Sequence, residues 1–292
     1  MEVIFDSFED WKLHCVQNNI PFFQPVLDYE RNLVGTSVTE IKSKMLSRFQ
    51  VMKEAVQIGL SSDMKSKSGM VNNGAKKVAN SSVHTLNSDF TFLISNTLAA
   101  KEMNACMGRI VAAPTAGASG ILPGALVTLQ TRHSISDDTM VEALLIASGI
   151  GMIIQRKASV SGAVGGCQAE TGSAAAMAAG AIVYALNGNI NQILTATAIA
   201  IQCTLGLICD PVAGLVEVPC IVRNASAVSI AYTAAQIAIS DVNAVIPVDE
   251  CVAAMAEVGK SMESRYKETA KGGLANTNTA KEIEKNVFGK NL

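Results

Sequence analysis

Apolar residues recur at three- and four-residue intervals through most of this chain, the period of an amphipathic helix. Thr36-Ser37-Val38-Thr39-Glu40 opens one such stretch, and Ile41, Met45, Phe49, Met52 and Val56 then form a single stripe with the charges lying off it. A helix patterned that way packs on something. Before it, Asp6-Ser7-Phe8-Glu9 can cap a helix that ends near Asn18-Asn19, ahead of Pro21. Trp11, His14 and Cys15 read there as packing or surface residues. Further helical patterns run from Asp89 to Asn104, twice within 122–156 around a turn at Ser134–Asp138, and over Ala225–Ile239. A last one starts at Val245–Glu250, where Val252, Met255, Val258, Gly259 and Met262 continue one face. There is no strand ladder and no internal repeat. The pattern predicts an all-α fold, a bundle of Ala/Gly-rich buried helices. It divides into a helical N-terminal segment, 1–62, packing on a main body, 63–292.

The middle of the chain is apolar enough to suggest a membrane span, since Thr171–Cys209 holds no Asp, Glu, Lys or Arg. Length argues otherwise. The run Ala174–Leu186 stops at Asn187-Gly188-Asn189, short of the ~20 residues that a span requires. The next run, Ile193–Ile208, is broken by Thr195, Thr197, Gln202 and Thr204. Both are predicted to be helices apolar all round and buried in the body. Residues 61–90 form a polar interlude, expected to be a solvated loop or a docking surface. His84 stands there beside Ser81 and Ser82, with no carboxylate shortly before it to tune a base.

Composition narrows the class. With 292 residues, 49% of them hydrophobic, the chain can bury a sizeable core. A net charge of −2 with mixed signs does not suggest a nucleic-acid or anionic-membrane surface. Met1–Asp6 carries Glu2 and Asp6 and does not read as a signal peptide. Seven cysteines, odd in number and not closely paired, point to a reducing compartment, with the cytoplasm expected.

Three of those cysteines interrupt the apolar pattern. They are Cys167 in Gly-Gly-Cys-Gln-Ala-Glu, Cys209 in Leu-Ile-Cys-Asp-Pro, and Cys220 in Val-Pro-Cys-Ile. Each adjoins a turn-forming residue, and a metal thiolate must be aimed by a turn with backbone N–H groups free for its sulfur. Three thiolates would leave one metal position open for substrate. Spacing alone leaves a second reading equally open, in which all three are small buried hydrophobes. Cys106, Cys203 and Cys251 lie in helical runs and read as packing. A Gly-rich stretch, Pro114-Thr115-Ala116-Gly117-Ala118-Ser119-Gly120, precedes another apolar run. Amides at such a helix start can hold a carboxylate. It is not a Walker loop, because no Gly-Lys-Ser/Thr follows.

Taken together, Ser161-Gly162-Ala163 through Cys167-Gln168-Ala169-Glu170, Cys-Asp-Pro-Val-Ala-Gly-Leu-Val-Glu-Val-Pro-Cys at 209–220, and Arg223-Asn224-Ala225 resemble the iron–sulfur L-serine dehydratase family. The likeness extends to Pro114–Gly120 and to a C-terminal Gly272-Gly273-Leu274-Ala275, and covers roughly 69–289. It implies a [4Fe–4S] cluster on Cys167, Cys209 and Cys220. It places Thr115, Gly117 and Ser119 at the substrate carboxylate, and Ser161, Gly272 and Gly273 near the substrate. Glu170 and Asp210, beside cluster cysteines, are expected to orient backbone or hydrogen-bond around the ligands. Lys157 stands where the family usually has Asn. Single-chain relatives end in a cysteine and carry an additional N-terminal domain. This chain ends Lys290-Asn291-Leu292 and resembles the alpha chain of the two-chain form, so a separate beta chain is the expected partner.

The implied reaction is β-elimination of water from L-serine to pyruvate and ammonia. Hydroxide is a poor leaving group, and an open iron would answer that as a Lewis acid. A pyridoxal-phosphate route would need a Schiff-base lysine and a phosphate cup; no Gly-rich phosphate partner precedes Lys157. The base is left open among Lys157, Lys271, His84 and a residue of the beta chain. Two alternatives fit the same residues: an L-cysteine desulfidase-type lyase, and a non-enzymatic iron–sulfur redox sensor.

Overall fold

The computed structural model describes residues 5–83 and 85–289; His84 and Lys290–Leu292, both raised above, lie outside them. The architecture is all-α, with isolated bridges as the sole β pairing among the described residues. The helices are α1 (Phe8–Asn18), α2 (Gln24–Val34), α3 (Val38–Ser61), α4 (Gly74–Ala79), α5 (Ser88–Ala105), α6 (Ile121–His133) and α7 (Asp137–Lys157). They continue as α8 (Gly162–Gly165), α9 (Ser173–Ala185), α10 (Ile190–Gln202), α11 (Cys220–Ile239), α12 (Val248–Ser261) and α13 (Asn278–Phe288). Side chains close several starts by taking an orphan backbone N–H. Ser7 caps α1, Ser37 caps α3, and Asn189 with Gln192 forms a reciprocal box at α10.

The axis of the bundle is α9, buried at every residue but Tyr184. Around it pack α6, α7, α10 and α11. Small residues set that spacing: a Cβ on Gly180 would lie 3.0 Å from Thr197 Oγ1 of α10 and would run into Ile150 of α7. The all-round burial expected of Ala174–Leu186 is therefore observed, whereas α10 buries only one side, with Asn191 and Gln202 exposed. No described helix is long and apolar enough to cross a membrane. All five stripe residues of α3 are buried. The N-terminal helices share the same core: Trp11 is stacked between Phe5 and Phe22 and donates Nε1–H to the Phe22 carbonyl at 2.8 Å.

Two further segments differ from expectation. Helix α11 begins at Cys220, five residues before the Ala-rich stretch, because Pro219 ends the preceding loop and Asn224 satisfies the Cys220 carbonyl. The polar interlude is only half a solvated loop. Residues 80–83 and 85–89 are exposed, but Met64, Ser66, Val71 and Ala75 are buried. Two buried carboxylates hold this segment down. Glu102 accepts the Gly74 and Ala75 N–H groups at the start of α4 (2.8 and 3.3 Å), and Glu217 accepts the Ser66 and Ser68 hydroxyls (2.7 and 2.6 Å). Hydrogen bonds to buried acceptors can dock a polar chain that has no apolar stripe.

Candidate functional site

The three turn-placed cysteines lie near enough for their charges to act on one another, Cys167 ahead of α9 and Cys220 at the start of α11. Gly166, at φ 77, turns the chain after α8, and Cys167 leads into a π-helical turn, 168–172, that feeds α9. Such turns recur at functional sites. Thr171 Oγ1 lies 2.9 Å from Cys167 Sγ. The buried Gln168 locks this turn to two neighbours. Its Oε1 accepts from Gly206 N–H at 2.9 Å and its Nε2 donates to the Met255 carbonyl at 3.0 Å, while its own N–H reaches the Leu207 carbonyl at 2.9 Å.

Cys209 is held by the C-terminal arm, 264–276. Its N–H donates to the Tyr266 carbonyl (2.8 Å) and its carbonyl accepts from Glu268 N–H (2.9 Å). Asp210 next to it accepts from Arg223 through Oδ1 (2.6 Å) and from Leu274 N–H through Oδ2 (2.7 Å). Gly273 sits at φ 60, and a Cβ there would strike the Asp210 carboxylate, so the glycine admits this close approach. Gly272 packs on the Arg265 carbonyl. Cys220 opens α11 directly after the cis Val218–Pro219 bond.

A Cβ on Gly162 would lie 3.0 Å from Cys209 Sγ, 3.3 Å from Glu268 Oε2 and 3.5 Å from Glu170 Oε2. That places the start of α8, which Ser161 precedes, beside Cys209, Glu170 and Glu268. The thiols of Cys167, Cys209 and Cys220 are unbridged and only 2%, 3% and 7% exposed. Burial pushes all three upward in pKa, Cys220 to about 12. Negative charge on Cys167 pushes Cys209 and Cys220 further in the same direction, and Lys101 and Arg223 pull Cys220 back. As free thiols they are therefore held protonated, and a bound cation would be needed to make them thiolates.

The Gly-rich loop meets the cysteine turns through Glu170. Thr115 donates its hydroxyl to Glu170 Oε1, and a Cβ on Gly117 would run into the same carboxylate. Asn224, fully buried in α11, ties the loop to Cys220. Its Nδ2 donates to the Gly117 and Cys220 carbonyls, both at 2.8 Å, and its Oδ1 accepts from Gly120 N–H at 3.0 Å. The N–H groups of Ala118, Ser119 and Gly120 are already taken, by Thr115, Ala116 and Asn224. Ser119 is fully buried, and its Oγ has no partner among the described residues.

Thr115 and Gly117 thus meet Glu170, the segment after Ser161 meets Cys209 and Glu170 through Gly162, and Gly273 meets Asp210 beside Cys209, with Ser119 and Gly272 in the same loop and arm. The two sequence-derived lysines are not drawn in. Lys157 turns to Asp6 Oδ2 at 2.5 Å, and Lys271 is exposed. Cys203, read as packing, is exposed, because it ends α10 where the helix leaves the core; Cys251 is buried as expected. One buried cation had no signal in the sequence: Lys101, fully buried in α5, donates to the carbonyls of Ala116 (3.2 Å) and Val216 (3.3 Å). It sits in Ala-Ala-Lys-Glu-Met, where a Lys-Glu pair reads as a solvent-facing turn. No three His, Cys, Asp or Glu among the described residues close on a single-ion position.

Residues 17–275 match the family described as "Serine dehydratase alpha chain". The chain is similar to the L-serine dehydratase, alpha chain, of Peptoniphilus asaccharolyticus, 39% identical over 94% of this chain and 95% of that one. It is similar to a probable L-serine dehydratase, alpha chain, of Bacillus subtilis, 42% identical over 89% and 87% of the two chains. An L-serine dehydratase of Streptomyces coelicolor is 38% identical over 81% of this chain but only 53% of its own length.

Proposed function

Because this chain belongs to the serine dehydratase alpha-chain family, we propose that it removes water from L-serine to give pyruvate and ammonia, with a [4Fe–4S] cluster held by Cys167, Cys209 and Cys220. The observation that carries the cofactor is that three buried, unbridged thiols from three separate turns lie close enough to act on one another's charge. Thiolate is the ligand such a cluster takes, and a cluster bonds each cysteine to a different iron rather than drawing all three to one ion. When bound, the iron without a cysteine ligand supplies Lewis acidity to the substrate hydroxyl and carboxylate.

The chain's own residues do the rest of the positioning. Thr115 fixes the Glu170 carboxylate, and Asn224 fixes the Gly117 carbonyl and the Gly120 N–H, which leaves the loop with a few unused donors. Those donors are the Ser119 hydroxyl and the N–H groups of Ala116 and Gly117, which take the substrate carboxylate. Loss of the Cα proton and of hydroxide leaves an enamine, whose imine tautomer is hydrolysed to the products. Lys157 is turned to Asp6 and Lys271 to solvent, which leaves the proton acceptor to His84, outside the described residues, or to a residue of a separate beta chain. Val164, Leu205, Val218, Val222 and Leu274, each within a few residues in sequence of a cysteine turn or in the C-terminal arm, are exposed, and exposed apolar side chains offer contact area to a protein partner. Such a cover also keeps bulk water from the enamine.

The test is anaerobic co-expression with a beta chain, followed by iron and sulfide analysis and an L-serine assay. Cys167→Ser, Cys209→Ser and Cys220→Ser should each abolish cluster and turnover, whereas Cys106→Ser, Cys203→Ser and Cys251→Ser should leave both near wild type. A wild-type complex that turns over L-serine without iron refutes the cofactor. Full turnover by the purified single chain refutes the need for a partner.

A further inference from the structure

A buried lysine is costly, because its ammonium must leave water. Lys101 is fully buried, and its hydrogen bonds among the described residues go to two backbone carbonyls. Those two carbonyls belong to the two loops that build the site. Ala116 lies between Thr115 and Gly117, both set against Glu170. Val216 lies in the loop that joins Cys209 to Cys220, beside Glu217, which anchors Ser66 and Ser68. The stem of Lys101 is fixed as well: a Cβ on Gly120 would lie 2.8 Å from Lys101 Cβ, so α5 and the loop meet without slack. The acidic side chains and thiols that act on its charge are Cys220, Glu170, Glu217 and Cys167. Arg223, the other cation nearby, is committed to Asp210 at 2.6 Å.

We propose that Lys101 is a positioning residue of the active site, its buried ammonium clamping the 114–120 loop to the 211–219 loop and supplying the uncommitted positive charge that faces the cysteines. The clamp stands on geometry alone; the electrostatic half rests on the cluster reading above. An ammonium donates three hydrogens, so two carbonyls leave one for an anionic neighbour. Charge close to an iron–sulfur cluster sets its reduction potential. Loss of this cation disfavours the reduced, more negative state.

The experiment replaces Lys101 by Met, which keeps length without charge or donor, and separately by Gln, which keeps a donor without charge. Both are made in the two-chain complex and compared with wild type by hydrogen exchange, iron and sulfide content, midpoint potential and L-serine kinetics. With a charged hydrogen-bonded tie removed, K101M should exchange about tenfold faster or more at amides of 114–120 and 211–219, with little change in α7 or α10. Its potential should fall, and KM should rise with the loosened carboxylate loop. K101Q should regain part of the protection but not the potential. Unchanged exchange in both loops overturns the clamp, and an unchanged potential with full iron content overturns the electrostatic role. If K101M does not fold, K101Q decides by the same readouts. Should the wild-type complex contain no iron, the cofactor reading fails, and exchange in the two loops still judges the clamp.

Discussion

The Asp210–Arg223 pair allows a quantitative prediction about how the C-terminal arm is kept at the site. Asp210 is 2% exposed, and its two oxygens serve Arg223 at 2.6 Å and the Leu274 N–H at 2.7 Å. The perturbation is Arg223→Met, which keeps the aliphatic stem and removes the charge. It leaves a buried carboxylate with one backbone donor, and a broken buried pair typically costs about 3–5 kcal/mol. Arg223 retains 18% of its side-chain surface, so water can partly replace it, and the low end, about 3 kcal/mol, is expected. The Arg223 bond to the Ile208 carbonyl at 2.9 Å is lost as well. Urea denaturation of the purified chain measures the total, and adding Asp210→Asn closes a double-mutant cycle. Asn keeps an acceptor for Leu274 and removes the stranded charge, so D210N/R223M should be more stable than R223M alone. The coupling should exceed about 1 kcal/mol, within the range for residues in direct contact. A stability loss under 1 kcal/mol in R223M, or a coupling near zero, would refute the claim that this pair holds the arm against Cys209.

Three further outcomes follow from the same geometry. Gly273→Ala adds a Cβ at φ 60 that meets Asp210; the left-handed backbone alone costs about 1–2 kcal/mol, and limited proteolysis should show the 264–276 arm released. Burial raises the Glu102 pKa above its ordinary value, so above pH 4.5 the native state keeps a proton that the unfolded chain gives up, and stability falls as pH rises toward the raised pKa. Glu102→Gln removes that slope, and its stability relative to wild type, read by urea titrations at several pH values, should increase from about pH 4 upward and then level off; a constant difference contradicts the assignment. Activity with L-serine should decay in air and return with ferrous iron, sulfide and thiol, whereas recovery with pyridoxal phosphate would contradict the proposed chemistry.

Much of the fold is written in local pattern. The three-and-four stripe of α3, the caps at Ser7 and Ser37, and the uncharged run that became α9 are all consequences of side chains within a few turns of one another. The cysteine turns were legible for a similar reason. Gly166, Pro211 and Pro219 leave a mark in the sequence wherever the chain must bend, and the motif between Cys209 and Cys220 carries the family resemblance. What pattern does not carry is the identity of the neighbour across a face. Lys101 and Glu102 look like solvent-facing charges on α5, yet α3, α4, α6 and α11 close around that helix and bury both. The polar segment after Ser61 has no apolar stripe to announce that it docks, because its anchors are Glu102 and Glu217, remote in sequence. The 264–276 arm reaches Cys209 through backbone bonds that any residue types could make. Period and composition report how much surface a segment must bury. Which charge sits where it can act on Cys167 and Cys220 depends on contacts between distant segments, and only the assembled tertiary structure decides those.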